Sequence, residues 1–206
     1  LEEGAFADFH VRLHRAPGMR RWIRPQVLFD MDGVLAFTPH PLGLAVPLLE
    51  WGFNWCVSGY AHQYLVIHAA VLEKSGKALI LSGPSGSGKS TLSAALALRG
   101  WRLLSDELTL VRPEDGQVVP LPRPVSLKNE SVEVIGGFDP DARIGPRWRD
   151  TVKGEVVHMR PPKEAVRRAA ETARPAWVIF TTFEKDRTAA LTPSPRGRAC
   201  LRLGWN

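Results

Sequence analysis

The chain has 206 residues, 44% of them apolar and 23% charged, and a net charge of +6; this is the make-up of a globular protein with one domain and room for a small appendage. No apolar run approaches the ~18 residues of a membrane span and no secretory leader is visible, so the expectation is a cytoplasmic protein with no membrane partner. The two cysteines, Cys56 and Cys200, lack metal-ligand spacing and read as reduced thiols, and the basic excess sits in scattered arginines without interleaved aromatics, which argues against a nucleic-acid partner.

Residues 1–37 read as β-rich. Phe9 to His14 alternates apolar and polar side chains, as a half-buried strand does, and Gln26 to Phe29 forms a second short strand. The next residues, Asp30-Met-Asp-Gly-Val, match the opening of haloacid-dehalogenase-type phosphatases. Pro39 and Pro41 interrupt the helix that chemistry would need, so a strand ending in an Asp-Gly turn is the preferred reading. Leu44 to Tyr60 is a buried helix. Tyr64 to Leu72 reads as one strand containing His68, followed by a turn at Lys74-Ser-Gly76 and a strand from Ala78 to Leu81.

That strand runs into Gly83-Pro84-Ser85-Gly86-Ser87-Gly88-Lys89-Ser90, a Gly-x4-Gly-Lys-Ser sequence, and then into Thr91 to Arg99, a helix stopped by Gly100. Strand, Gly-rich loop and helix in this order are the context a phosphate-binding P-loop requires. Its backbone amides and the helix N-terminus attract phosphate oxygens. Lys89 reaches the β- and γ-phosphates, the Ser90 hydroxyl ligates Mg²⁺, and Thr91 continues the cradle. ATP and Mg²⁺ are therefore the expected cofactors; an Asn-Lys-x-Asp segment for guanine is not seen.

Downstream, Trp101 to Leu104 is a strand that ends in the carboxylate pair Asp106-Glu107. One carboxylate of such a pair holds the metal and the other accepts the proton of an attacking hydroxyl. His68 reads either as a core histidine or as a group that orients Asp106. Leu108 to Val111 and Val118 to Leu121 suggest another hairpin. Ser126 to Lys128 precedes a helix started by Asn129, Lys163 to Ala173 is a helix, and Trp177 to Phe180 is a late core strand. Arg123, Lys128 and Lys153 are candidates to neutralise phosphate charge, with Lys128 the first choice. The sum is an α/β protein: 1–60 a β-rich segment plus connecting helix, 61–206 the phosphate-handling domain.

Ile67-His-Ala-Ala70, the Gly83–Ser90 loop and Arg99-Gly-Trp-Arg-Leu-Leu-Ser-Asp-Glu107 together resemble the catalytic domain of bacterial HPr kinase/phosphorylase. Leu121 to Lys128 and Lys153 to Pro162 resemble the divergent HPr-kinase-related group more than the regulatory enzyme. The resemblance implies a P-loop kinase domain related to phosphoenolpyruvate carboxykinase. It also implies transfer of the ATP γ-phosphoryl group to a hydroxyl, with Ser of a protein or peptide expected. In it His68 orients, Asp106 is the acid/base, and Glu107 and Ser90 serve Mg²⁺, with Asp106 also near the metal. Two departures stand out: Glu107 replaces a second Asp, and the Glu-x-Gly-Thr-Arg-Asp segment is not found, so dephosphorylation and HPr itself are not carried over. The family's C-terminal helices would extend past Asn206, which implies a C-terminally shortened chain. Homo-oligomerisation is a further expectation. A nucleotide-binding module with little transfer activity and a small-molecule kinase remain alternatives.

Overall fold

The computed structural model describes residues 7–151 and 154–205, the side chain of Asp150 excepted. The protein is mixed α/β with several sheets, and its contacts divide it into one unit ending at Ala61 and another starting at His62. Among the described residues no helix is long and apolar enough to cross a membrane.

In the first unit, β1 (Val11–Arg15), β2 (Gln26–Met31), β3 (Val34–Leu35) and β4 (His40–Pro41) form an antiparallel sheet. Met31 pairs with Val34 across the two-residue turn Asp32-Gly33, where φ is +50° and +86°. Two positive φ values are what a type I′ hairpin needs, and Gly supplies the second without strain. Asp30 caps the same turn by accepting the Gly33 N–H at 3.0 Å. The Asp-x-Asp-Gly sequence is thus a hairpin. The period-2 residues Val27, Phe29 and Met31 pack with Leu48 and Cys56 of helix α1 (Ala45–Tyr60).

Phe29 lies so close to α1 that a Cβ built on Gly52 would stand 2.0 Å from its ring. Gly52→Ala must displace a fully buried phenyl group. Overpacking of this kind costs about 1–3 kcal/mol, and thermal unfolding of the variant should show the loss. An unchanged Tm would mean that the ring moves freely.

In the second unit the strands are β5 (Leu65–Ile67), β6 (Ala70–Lys74), β7 (Lys77–Ser82), β8 (Arg102–Ser105), β9 (Thr109–Val111), β10 (Val118–Val119), β11 (Val125–Lys128), β12 (Trp148–Thr151), β13 (Gly154–Met159) and β14 (Arg174–Phe180). The helices are α2 (Lys89–Leu98), α3 (Glu130–Phe138), α4 (Lys163–Arg167) and α5 (Arg196–Gly204). The central sheet runs β14-β7-β6-β8. β6 is antiparallel to both neighbours, so β7 and β8 point the same way and α2 crosses over between them; β14 is parallel to β7.

β6 and β7 read as continuous apolar runs because both faces of the sheet are covered. Ala70, Leu72, Leu79, Leu81 and Leu103 face α2, β11 and β13; Val71, Ala78, Ile80 and Leu104 face Val118 and Ala173. The β6–β7 turn, Ser75-Gly76, is again type I′, with φ of +54° and +77°.

Three expectations need correction. The strand expected over Tyr64 to Leu72 is broken at His68-Ala69, where the Ala69 N–H donates back to Ile67 O at 2.8 Å. β5 then pairs with β9 while β6 enters the central sheet. His68 is therefore at a bend between two sheets, not inside a strand. The late strand β14 is not a core strand: Arg174 to Val178 are exposed, since β14 closes the sheet order on that side. The helix expected over Lys163 to Ala173 is shorter, ending at Arg167.

Candidate functional site

The site is built where β7 ends. Ser82 leads into Gly83, whose φ of +151° and surroundings both demand glycine: a Cβ there would lie 2.8 Å from Ser87 Oγ and 2.9 Å from Thr181 O. The loop turns back on itself, with the Ser87 N–H donating to Pro84 O at 3.2 Å. Gly88, at φ +87°, caps α2, which begins at Lys89. The first-turn amides of α2, those of Lys89, Ser90 and Thr91, have no intrahelical acceptor and carry the positive end of the helix dipole. Pro84, Ser85 and Gly86 form the exposed crest of the loop. A second strand end braces it: Ser87 Oγ and Thr181 Oγ1, just past β14, are 2.8 Å apart.

The Lys89 side chain is buried and folds back over its own loop, donating to Gly83 O and, at 3.2 Å, to Pro84 O. Burial pulls its pKa below the usual lysine range, and the Lys128 charge adds to that; Glu107 and Asp106 oppose it.

β8 delivers Asp106 and Glu107 beside this loop, and the two carboxylates part company. Asp106 turns inward, 4% exposed, under α2. Ser93 Oγ donates to its Oδ1 at 2.6 Å and the Ser126 N–H to its Oδ2 at 3.1 Å. Burial, and then the neighbouring Glu107 charge, raise its pKa to about 6, against hydrogen bonds from Ser93, Ser126 and Ser90. Glu107 turns outward, 3.8 Å from His68 Nε2 and 3.8 Å from Lys128 Nζ.

This corrects one expected contact. The carboxylate facing His68 Nε2 is Glu107; Asp106 takes its orientation from Ser93 and the β11 backbone. Lys128, at the end of β11, lies with Glu107 in the cleft. Arg123 is not among the residues that line it, and Lys153 lies outside the described residues.

The cleft holds about 1950 Å³ and is lined by the loop from Pro84 through Thr91, by His68, Glu107 and Lys128, and on the far side by Phe183. Small-ligand sites run to about 300–1,000 Å³, so this open cleft is larger than one small ligand fills. No cluster of three His, Cys, Asp or Glu able to hold a metal occurs among the described residues. Mg²⁺ in phosphate sites needs no such cage: it takes one or two carboxylates, waters and the substrate's own oxygens. Ser90 with Asp106 or Glu107 fits that donor set.

Sequence reading missed Ser93, Thr181 and Phe183. Ser93 had a signal, because it is three residues beyond Ser90 on the same helical face. Thr181 and Phe183 had none: they reach the loop from more than ninety residues away.

A family model described as SynChlorMet cassette protein ScmC matches residues 56–131. HPr kinase/phosphorylases of Clostridium botulinum, strains Eklund 17B / Type B and Alaska E43 / Type E3, are each 30% identical over 73 residues. That match covers 35% of this chain and 24% of theirs. Over that stretch the chain is similar to part of a kinase/phosphorylase, a distant likeness that hints at phosphotransferase chemistry.

Proposed function

We propose that the second unit is a P-loop kinase domain of the HPr kinase/phosphoenolpyruvate carboxykinase type, which moves the γ-phosphoryl group of ATP to a hydroxyl, Ser of a protein or peptide being the expected acceptor. The observation that carries this reading is the separation of the two carboxylates. One is buried beside Ser90 with its proton affinity raised toward neutrality; the other faces an open cleft between a histidine and a lysine. A site that only held nucleotide would need neither arrangement.

In this reading the loop amides and Lys89 bind the β- and γ-phosphates, and Lys128 adds charge where the transferring group becomes most negative. Mg²⁺, if bound, would supply positive charge to offset the phosphate oxygens. Ser90 and Glu107 would hold it, with His68 facing Glu107 at 3.8 Å. The acceptor oxygen attacks phosphorus, the bond to the β-phosphate oxygen breaks, ADP leaves, and the hydroxyl proton passes to the buried Asp106 by way of Ser90, which lines the cleft and is hydrogen-bonded to that carboxylate. A base with a pKa near 6 is half-matched to that task at neutral pH, where an ordinary aspartate is too weak.

The second reading, a nucleotide-binding module without efficient transfer, is favoured by the short span of the match to the relatives. ADP release in the presence of Mg²⁺, with and without Ser-bearing peptides, separates the two. The kinase reading expects acceptor-stimulated release that Lys89→Ala abolishes together with most ATP affinity. Calorimetry showing unchanged ATP binding in Lys89→Ala removes the site altogether.

A further inference from the structure

We infer that Phe183 is the platform on which the base of the nucleotide stacks, so that the cleft takes a purine nucleoside triphosphate lengthwise, base toward β14 and γ-phosphate toward Glu107. The inference rests on the nucleotide reading above and adds its orientation and base subsite.

Three observations carry it. First, the glycine-rich loop has two chemically different flanks. β7 carries the loop; β6 and then β8 lie on one side of it and β14 on the other. The β8 side supplies Glu107, with His68 and Lys128 against it. The β14 side supplies Phe183, and the chain that follows β14 lines the cleft with Leu191 and with the Glu184–Arg187 ion pair. A nucleoside triphosphate has the same polarity along its length, with a concentrated charge at one end and a flat apolar ring system at the other.

Second, Phe183 is close to the phosphate cradle and held there. A Cβ on Gly88 would lie 3.6 Å from Phe183 Cβ. Two residues earlier the chain is fixed by the Thr181 N–H donating to Ser82 O at 2.8 Å and by the Thr181–Ser87 hydroxyl contact. The ring therefore starts from the wall of the loop itself.

Third, the ring is 67% exposed although it stands in a cleft. An exposed phenyl group is ordinary on a protein surface; its place in the cleft lining is what gives this one a use. One left open, beside a site for anions, offers the flat face that bases use: stacking on an aromatic side chain is worth enough to change affinity several-fold to a hundred-fold and accepts any base.

Calorimetric titration of the protein with ATP, GTP and inorganic tripolyphosphate, each with Mg²⁺, tests the assignment. Phe183→Ala should raise the Kd for ATP and GTP alike, by about ten-fold or more. Tripolyphosphate, which has no base, should bind the variant within about two-fold of wild type, which also shows that the loop is intact. Phe183→Trp should bind ATP at least as well as wild type. An unchanged ATP affinity in Phe183→Ala overturns the inference. So does an equal loss for ATP and tripolyphosphate, which would make Phe183 a support of the loop and not a base platform. If Lys89→Ala leaves tripolyphosphate binding unchanged, the phosphate site itself is wrongly placed and the inference falls with it. If wild type binds tripolyphosphate through Lys89 and Phe183→Ala changes nothing, the site stands and only the base platform is lost.

Discussion

Asp106→Asn should bind ATP as wild type does, lose turnover by about 10²–10⁴-fold, and be the more stable protein at neutral pH. The last point follows from the direction of the Asp106 shift. Its carboxyl titrates at about 6 in the folded chain against an ordinary 3.8. Between those values the folded state holds more protons than the unfolded one, so stability falls as pH rises through that window and stays low above it. The ionised, buried carboxylate thus costs about 3 kcal/mol at pH 7, at about 1.4 kcal/mol per unit. Asparagine avoids the charge while its amide oxygen still accepts from the Ser126 N–H. In metal-free buffer, urea midpoints should show the variant ahead of wild type at pH 7.5 and level with it near pH 4. A side chain kept for structure would show the opposite order. A variant that is less stable at pH 7.5, or that turns over normally, would remove Asp106 from the proton-transfer role.

The second large effect lies away from the cleft. Arg102 and Glu73 are cross-strand partners on β8 and β6, both nearly buried, with Arg102 Nε donating to Glu73 Oε2 at 2.6 Å. Arg102 NH1 also donates to Arg168 O and Glu171 O at 2.9 Å each, and the Gly76 N–H donates to Glu73 Oε1 at 2.5 Å. Burial would raise the Glu73 pKa, but the hydrogen bonds and charge of Arg102 and the Gly76 N–H outweigh it and hold the carboxyl below its usual range.

Arg102→Met leaves the buried Glu73 with only the more exposed Arg168, 3.8 Å away, as a cation, a loss of up to about 3–5 kcal/mol. The pH dependence should invert with it. In wild type the lowered Glu73 pKa contributes stability that is present above about pH 4.5 and is lost as pH falls through the folded value. In Arg102→Met the carboxyl loses the hydrogen bond and most of the charge that hold its pKa down against burial, so the deficit should shrink on acidification. The double variant Arg102→Met/Glu73→Leu should recover most of the loss, since the two side chains are replaced by apolar volume. Denaturant unfolding at pH 4.5 and 7.5 reads all three; a single variant within about 1 kcal/mol of wild type at pH 7.5 would show that water reaches Glu73.

Local sequence determined the pieces that depend only on neighbours in the chain. The Gly83–Ser90 loop between a strand and a helix, the stop at Gly100, and the turns at Asp32-Gly33 and Ser75-Gly76 are all written in residues a few positions apart. Turn chemistry and helix capping act over that range. Asp106 and Glu107 could be named as a pair for the same reason.

What the pair does, and what stands across from it, depended on tertiary packing. The sequence could not say that Asp106 turns under α2 and Glu107 into the cleft, because adjacent side chains diverge according to which face is already filled. It placed His68 within one strand, yet the chain breaks there so that β5 and β6 can join different sheets. It read β14 as core from its apolar run, although an edge strand leaves such a run exposed. Thr181 and Phe183 meet the glycine-rich loop only because β14 lies parallel to β7, nearly a hundred residues later in the chain. Local periodicity records what each residue prefers; which distant strand lies beside it is set by how the buried faces are covered, and that becomes visible only in the folded chain.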